Sequence, residues 1–405
     1  AICSIVISPP VVHWIWGTGF LSPRAFPDET ETIFKPLFSR SEDSNGVMDY
    51  GGSGVVHMLG GFSGLMGAIA LGPRNGRFDM DGKPLPMPAH NTAMMALGAT
   101  ILWFGWYAFN CGSTLVITHH MAQVAGKIAV NTTISGAAGA LMATIISRVF
   151  EKTFDIGIAI NGLLAGLVAV TASCAVVLPW AAFVIGITAP CVYYAAHRLL
   201  LRLQIDDPLD AFPIHGCCGA FGVLCVGIFC QDKYVVWAGY PHHNDSCSRG
   251  EQFAIQFVAI LVIAVWSSIM SGITFFGLKA TVGIRVPQDV ENEGLDRSEH
   301  GGNAYFDNPG NNSPLKMANT GVNGPGFRGV PPPAGSHRRV LPAEISSEPA
   351  GIQEESADQR SGGKRQPSPV PQQNQNWVAE DLERGESAAQ NQVVPVQAGW
   401  EGAQP

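Results

Sequence analysis

Long apolar stretches dominate the first two-thirds of this 405-residue chain and limit what it can fold into. Each is close to the ~20 residues that an α-helix needs to cross about 30 Å of hydrocarbon. The runs are continuous instead of alternating, which indicates helices and not strands. We therefore predict an all-α, polytopic membrane protein. Its eight spans are 2–16, 50–71, 92–114, 124–146, 156–178, 180–201, 212–230 and 253–278.

The last third of the chain is polar, and hydrophobic periodicity stops at Pro287. We predict a transmembrane domain over 1–286, a cytoplasmic C-terminal regulatory segment over 287–306 and a disordered cytoplasmic tail over 307–405. The net charge of −8 combines these regions and argues weakly against nucleic acid as a partner.

The distribution of basic residues between the loops predicts the sidedness of the chain. Nine lysines and arginines fall on the side that carries the tail, against six on the other side. By the positive-inside rule, the C-terminus is cytoplasmic, which fits a plasma-membrane protein. The opposite loop, 231–252, holds a glycosylation sequon at Asn244 and is flanked by Cys230 and Cys247, so a glycan and a disulfide are both plausible there.

Two histidines lie inside apolar spans, where an ionisable group indicates a functional site. They are His57 in the second span and His215 in the seventh, and glycine follows each of them after four and after seven residues. Glycines at this spacing allow helix backbones to approach closely. The two helices are separated by an odd number of crossings, so they run antiparallel, as expected of inverted five-helix repeats with a site near the midplane.

Several motifs, in this order and spacing, resemble the Amt branch of the Amt/Mep/Rh ammonium transporter family. The motifs are Trp14-Ile15-Trp16-Gly17, Asp49-Tyr50-Gly51-Gly52 before Val55-Val56-His57, Trp103-Phe104-Gly105-Trp106, Phe109-Asn110-Cys111-Gly112-Ser113, Asp206-Asp207-Pro208-Leu209-Asp210 before His215-Gly216, and Gly294-Leu295-Asp296 before His300-Gly301. The resemblance covers about residues 9–306.

The resemblance implies an ammonium-transporter fold: eleven transmembrane helices in two inverted five-helix halves, assembled as a homotrimer. The eight spans correspond to the fourth through eleventh helices, so we expect an N-terminal truncation that removes three. The implied function is transport of ammonium or ammonia, with methylammonium as an analogue. No enzyme activity, cofactor or metal is expected.

The resemblance also implies a role for particular residues. His57 and His215 share a hydrogen in the pore while both stay neutral, which suits a water-poor lumen. Trp16 and Ser113 recruit ammonium at the outer mouth, through the indole face and the hydroxyl. Phe109 is a gate. Asp49 stabilises the cation or caps its helix, two roles that can coexist.

Other interpretations stay open at this stage. The histidines could be two unrelated buried residues, and Trp14, Trp103 and Trp106 could be interface anchors. Asp210 is interpreted mainly as a cap for the His215 helix. The long tail suggests an ammonium sensor that signals to a cytoplasmic partner, and the missing start suggests a non-transporting gene fragment.

Overall fold

The computed structural model describes residues 2–22, 46–240, 247 and 249–302. The predicted tail 307–405 and Asn244 lie outside these residues. Within them the chain is helical, apart from one isolated bridge between Phe78 and Pro84. The helices are α1 Cys3–Ile15, α2 Ser53–Leu71, α3 Thr92–Gly112, α4 Met121–Glu151, α5 Ile156–Thr171, α6 Pro179–Arg202, α7 Phe212–Phe229, α8 Asp232–Trp237, α9 Arg249–Thr281, α10 Gln288–Glu293 and α11 Leu295–His300.

All eight predicted spans contain a helix of the structure. Six helices among the described residues are long and apolar enough to cross a membrane, namely α2, α3, α4, α6, α7 and the greater part of α9. The other two, α1 and α5, are apolar but shorter. The helical, membrane-spanning fold class is therefore confirmed.

The predicted end of the fifth span at Leu178 is wrong, because α5 ends at Thr171. Irregular backbone at membrane depth needs other hydrogen-bond partners, and here a distant side chain supplies them. The buried amide of Asn131 donates to the carbonyls of Cys174 at 2.8 Å and Val177 at 3.0 Å. Ala172 N in turn donates to the Ser53 hydroxyl at 2.6 Å. The predicted span is apolar throughout, but its helix ends at Thr171 and the backbone beyond it is irregular.

The helices pack around two apolar cores. One lies among α4, α5, α6 and α7, with Ile128, Leu167 and Ile185 fully buried. The other lies among α1, α2 and α9, and includes Val11 and Ile263. Helix α2 belongs to the second core and α7 to the first, and they pack against each other. The two histidine-bearing helices thus meet where the two halves of the bundle meet.

Helices α2 and α7 cross at a glycine contact with local two-fold symmetry. A Cβ atom on Gly61 would lie 2.1 Å from the Gly216 nitrogen, and one on Gly219 would lie 3.0 Å from the Met58 nitrogen. In each case the glycine four residues after one histidine packs on the residue that follows the other histidine. The earlier residue of α2, Met58, contacts the later residue of α7, Gly219, and Gly61 contacts Gly216. The helices therefore run antiparallel, as the inverted repeat predicts.

On the side that carries α10, a buried carboxylate joins the loop after α2 to the loop before α7. Asp206 accepts hydrogen bonds from the Arg74 side chain at 2.7 and 2.9 Å, and it pairs with Arg77 at 3.4 Å. Burial alone would raise the pKa of this carboxyl, but the hydrogen bonds and charges of the two arginines outweigh burial and hold the pKa below its ordinary value. The loops at the ends of the two histidine-bearing helices are therefore tied together on this side.

Candidate functional site

His57 and His215 lie side by side within the helical bundle. Their Nδ1 atoms are 3.2 Å apart, and the rings stack with an interplanar angle of 17°. Two neutral imidazoles can share one hydrogen in this arrangement, one donating and the other accepting. The Nε2 atom of His57 is buried and finds no hydrogen-bond partner among the described residues. One ring nitrogen is thus left over for a small ligand.

Equivalent local structures position the two histidines. Each lies in a wide, π-helical turn that begins its helix, Ser53–Met58 in α2 and Phe212–Cys217 in α7. Such turns are rare and are often found at functional sites. An aspartate precedes each histidine by eight residues and accepts hydrogen bonds from the free backbone N–H groups of the turn, Asp49 in one case and Asp207 in the other.

Asp49 is almost completely buried, with 1% of its surface exposed. Its carboxylate accepts from the backbone nitrogens of Gly52, Gly54 and Val55 at 3.1, 2.9 and 2.8 Å. These N–H groups lie at the start of the helix, where no preceding turn supplies a carbonyl to accept their hydrogens. The N-terminus of a helix also favours a negative charge. The geometry is that of a cap, and the predicted electrostatic role of Asp49 toward a cation stays a prediction.

The interpretation of Asp210 as a cap is wrong. Its carboxylate instead faces a polar cluster, where it accepts from Asn161 and Tyr193 at 3.0 Å each and contacts His197 Nδ1 at 2.7 Å. The amide of Phe212, which begins α7, donates to Asp207 at 2.8 Å. Asp210 adopts a left-handed backbone conformation with φ 54°, which turns its side chain away from the helix start.

An aromatic stack extends from the histidine pair toward the end of α3. The His57 ring stacks on Trp106 with centroids 5.0 Å apart, and Phe109 lies 5.3 Å from the same ring. Trp106 is fixed by a hydrogen bond from its indole nitrogen to the Thr171 hydroxyl at 3.0 Å. Trp106 is therefore part of the site and not an interface anchor. Phe109 is 37% exposed, and its predicted gating role stays a prediction.

Trp16 and Ser113 line one pocket of about 210 Å³. The Trp16 indole nitrogen donates to the Asp49 carbonyl at 2.6 Å, and the Ser113 hydroxyl donates to the Phe109 carbonyl at 2.9 Å. With its hydrogen used in this way, the Ser113 oxygen can accept a hydrogen bond from a ligand. The rest of the lining is Ile15, Val47, Tyr50, Leu115, Ala238 and Tyr240.

Tyr240 brings the loop after α8 into this pocket. A disulfide joins Cys247 of this loop to Cys230 at the end of α7. Tyr50 and Tyr240 contact each other edge to face, with centroids 6.1 Å apart. Sequence reasoning missed both tyrosines as pocket residues, because a contact between the segment just before α2 and a loop 190 residues later leaves no local signal.

Trp106, in contrast, could have been predicted as a site residue. It precedes Phe109 by three residues and so lies on the same face of α3.

Fold and site together define a class: a helical membrane protein in which antiparallel helices bring two histidines together beside an aromatic pocket. Within the described residues, no group of three or more histidine, cysteine or acidic side chains is arranged to hold a metal ion. The chain matches the Ammonium Transporter Family over residues 1–305, and it belongs to that family.

Comparison with individual proteins agrees with the family assignment. The chain is 38% identical over 321 residues to Ammonium transporter 1 member 4 of Arabidopsis thaliana, covering 74% of this chain and 61% of that protein. It is also 38% identical to Ammonium transporter Amt2 of Archaeoglobus fulgidus, covering 75% of this chain and 63% of the relative. The chain thus spans about three-fifths of the length of these relatives.

Solved structures show the same fold. A protein described as Sensor Amt Protein superposes with a TM-score of 0.63 at 32% identity, over 73% of this chain and 67% of that one. Candida albicans Mep2 superposes with a TM-score of 0.60 at 25% identity, over 73% of this chain and 61% of that one.

Proposed function

We propose that this chain carries ammonium nitrogen across a membrane: ammonium is captured at the outer pocket, loses its proton, and passes the histidine pair as ammonia. The observation that carries the proposal is the His57–His215 pair, in which one hydrogen bond joins the rings and His57 Nε2 has no partner among the described residues. In the tautomer where His57 Nδ1 donates, Nε2 accepts a hydrogen bond from ammonia. Neutral ammonia needs no counter-charge there.

The outer pocket suits a small cation. The exposed part of the Trp16 indole attracts a cation by roughly 0.5–2 kcal/mol, more as water is excluded. Ser113 offers an acceptor oxygen, and the backbone carbonyl of Asp49 fixes the indole by accepting from its nitrogen. Phe109 stands between Ser113 and the His57 ring. Loss of water on the way inward favours the uncharged form, so ammonium gives its proton to water at the outer pocket before ammonia reaches the histidines.

Uptake of labelled methylammonium by cells whose own ammonium uptake is disabled tests this proposal. The chain should give saturable uptake that ammonium competes away, and Trp16→Leu should raise the half-saturation concentration about 2- to 30-fold because the ~0.5–2 kcal/mol cation–π attraction is lost. Trp180→Leu is the matched control, since Trp180 is exposed and packs only on Phe229 among aromatic rings of the described residues. No uptake above untransfected cells, at verified surface expression, would overturn the proposal.

We propose that the segment 287–306 regulates the pore, because its described part is attached to the loop that follows α2. Glu291 accepts a hydrogen bond from the Asn75 backbone nitrogen at 2.8 Å, and it pairs with Arg285 at 2.9 Å. The Asn75 hydrogen bond, with help from Arg285, holds the pKa of Glu291 below its ordinary value. The attachment is therefore complete above the ordinary carboxyl pKa of about 4.3 and weakens as the pH falls through the lowered value.

Glu291→Gln should loosen this attachment, because the amide keeps the shape but loses the charge that pairs with Arg285. Exposed ion pairs contribute about 0.2–1 kcal/mol, so backbone amides of α10 should exchange hydrogen about 1.4- to fivefold faster in the variant. Asp289→Asn is the control, an exposed acid of the same helix. Equal exchange in wild type and Glu291→Gln would show that the contact does not hold the segment.

The remaining features follow from the family and the charge distribution. We propose a plasma-membrane location with a cytoplasmic C-terminus, and a homotrimer supported by the resemblance and by the largely exposed apolar surface of α3. Native mass spectrometry would give the subunit number. The sensor interpretation is not favoured, because the curated relatives named above are transporters. For the same reason we infer a transport role and not an enzymatic one.

A further inference from the structure

A groove away from the pore lies between the ends of α4 and α6. It has a volume of about 610 Å³ and is lined by Phe150, Tyr194, Ala195, Arg198, Leu199 and Arg202. None of these residues touches the histidine pair or the outer pocket. The lining combines two guanidinium groups with apolar side chains that are open to the surroundings, since Phe150 is 64% and Leu199 53% exposed. A groove of this composition suits a ligand that is anionic at one end and apolar at the other.

The charges around the groove are mainly positive. Arg148 and Lys152, at the end of α4, add to Arg198 and Arg202 of α6. Two acids lie in the same region, and both already have partners. Glu151 accepts from the Tyr194 hydroxyl and contacts Arg198 at 3.4 Å, and Asp155 caps α5 by accepting from the Ile158 nitrogen at 3.0 Å.

The two arginines are not equally engaged. Among the residues that the structure describes, the Arg198 guanidinium makes only the long contact with Glu151, and the side chain is about half exposed. Arg202 is exposed and has no ion pair or hydrogen bond from its guanidinium within the described part of the chain. Guanidinium groups bind phosphate through paired, charge-assisted hydrogen bonds, which are stronger than a 3.4 Å contact with a solvent-exposed carboxylate. Both arginines are therefore available to a phosphate group.

The position of the groove identifies the source of the phosphate. Both α4 and α6 are membrane spans, and they end at Glu151 and Arg202, so the groove lies where the hydrocarbon gives way to the polar headgroups. A soluble anion would use the arginines but leave Phe150 and Leu199 unexplained. A phospholipid uses both. Basic pockets between transmembrane helices on the cytoplasmic side, the side to which these ends are assigned by the loop charges, are typical sites for anionic headgroups.

We propose that this groove binds an anionic phospholipid, with the phosphate between Arg198 and Arg202 and the start of an acyl chain against Phe150 and Leu199. Binding would fix the ends of α4 and α6 relative to each other. This proposal does not depend on transport, because a chain that binds the lipid and conducts nothing would still satisfy it.

Native mass spectrometry of the full chain in detergent, titrated with phosphatidylserine or phosphatidylcholine, tests this site. Phosphatidylserine should bind at least tenfold more tightly to the first site than phosphatidylcholine. Each arginine near an anionic headgroup contributes roughly a fivefold gain in affinity. Arg198→Gln with Arg202→Gln should therefore weaken phosphatidylserine binding about 25-fold, and Arg202→Gln alone about fivefold. The single variant removes an exposed side chain that has no partner among the described residues, so it keeps the test informative if the double variant misfolds.

The matched control removes two charges from the same side of the chain, away from the groove, as Lys83→Gln with Arg297→Gln; both side chains are well exposed. This variant should bind phosphatidylserine like the wild type. Three outcomes would overturn the proposal: equal affinity for the two lipids, equal loss in the control, or competition by inorganic phosphate at the same concentration as the lipid. A change of subunit number in Arg202→Gln without a change in lipid affinity would instead assign the groove to a second copy of the chain.

Discussion

His57→Ala is expected to abolish most of the methylammonium uptake of this chain. The substitution removes the ring nitrogen that has no partner among the described residues, and it breaks the 3.2 Å hydrogen bond to His215. A buried polar group left without its partner costs about 1–3 kcal/mol, which corresponds to roughly a 5- to 150-fold lower rate if the cost falls on the rate-limiting step. The measurement is the initial rate of uptake, normalised to the amount of protein at the cell surface.

The aromatic stack makes His57 the more sensitive of the two histidines. Its ring lies between the ring of His215 and those of Trp106 and Phe109, so alanine also leaves a gap between rings that are now in contact. His215→Ala breaks the same hydrogen bond but leaves the stack on Trp106 in place. We therefore expect a larger loss of uptake for His57→Ala than for His215→Ala.

The control for this prediction is His120→Ala, which removes an exposed imidazole just before α4. His57→Gln adds a second comparison, because its amide can keep a hydrogen bond to His215 and should restore part of the uptake. If His57→Ala transported as well as His120→Ala, the histidine pair would be a packing feature and the route of the substrate would lie elsewhere.

The length and continuity of the apolar runs were sufficient to predict the eight apolar helices, but not the short helices α8, α10 and α11. The end of α5 was not predictable in this way, because residues 172–177 are as apolar as the helix before them. The non-helical backbone after Thr171 is stabilised by the buried Asn131 amide of α4, some 40 residues earlier in the sequence, and hydropathy carries no information about a partner at that distance.

The site, too, has some features that the sequence predicts and others that it does not. The repeated spacing of glycines after His57 and His215 correctly predicts helices that meet at a close crossing. The interpretation of Asp210 as the cap of α7 was wrong because it rested on proximity to the helix, whereas the symmetry of the two halves assigns the role to Asp207. Asp49 and Asp207 each precede their histidine by eight residues, so the repeat was a better guide than local position.

Gly61→Ala is expected to lower both the stability and the uptake of this chain strongly, although it adds only one methyl group. The added Cβ would lie 2.1 Å from the Gly216 nitrogen and 2.5 Å from its Cα, and both are backbone atoms that cannot move without moving α7. Overpacking in a tight interior costs about 1–3 kcal/mol. The cost falls directly on the crossing that holds His57 and His215 together, so uptake should fall along with the thermal stability of the purified chain.

The neighbouring glycines supply the controls for this prediction. Gly60 has nothing within 4 Å of an added Cβ, and at Gly64 the nearest atom is the Ala211 Cβ at an ordinary 3.7 Å. Gly60→Ala and Gly64→Ala should therefore match the wild type in stability and uptake, although Gly64 belongs to the same sequence pattern as Gly61. Gly219→Ala should behave like Gly61→Ala, because its Cβ would lie 2.6 Å from the Ser53 carbonyl at the symmetry-related contact. If all four variants unfolded at the same temperature as the wild type, the two helices would not be in the close contact that brings the imidazoles together.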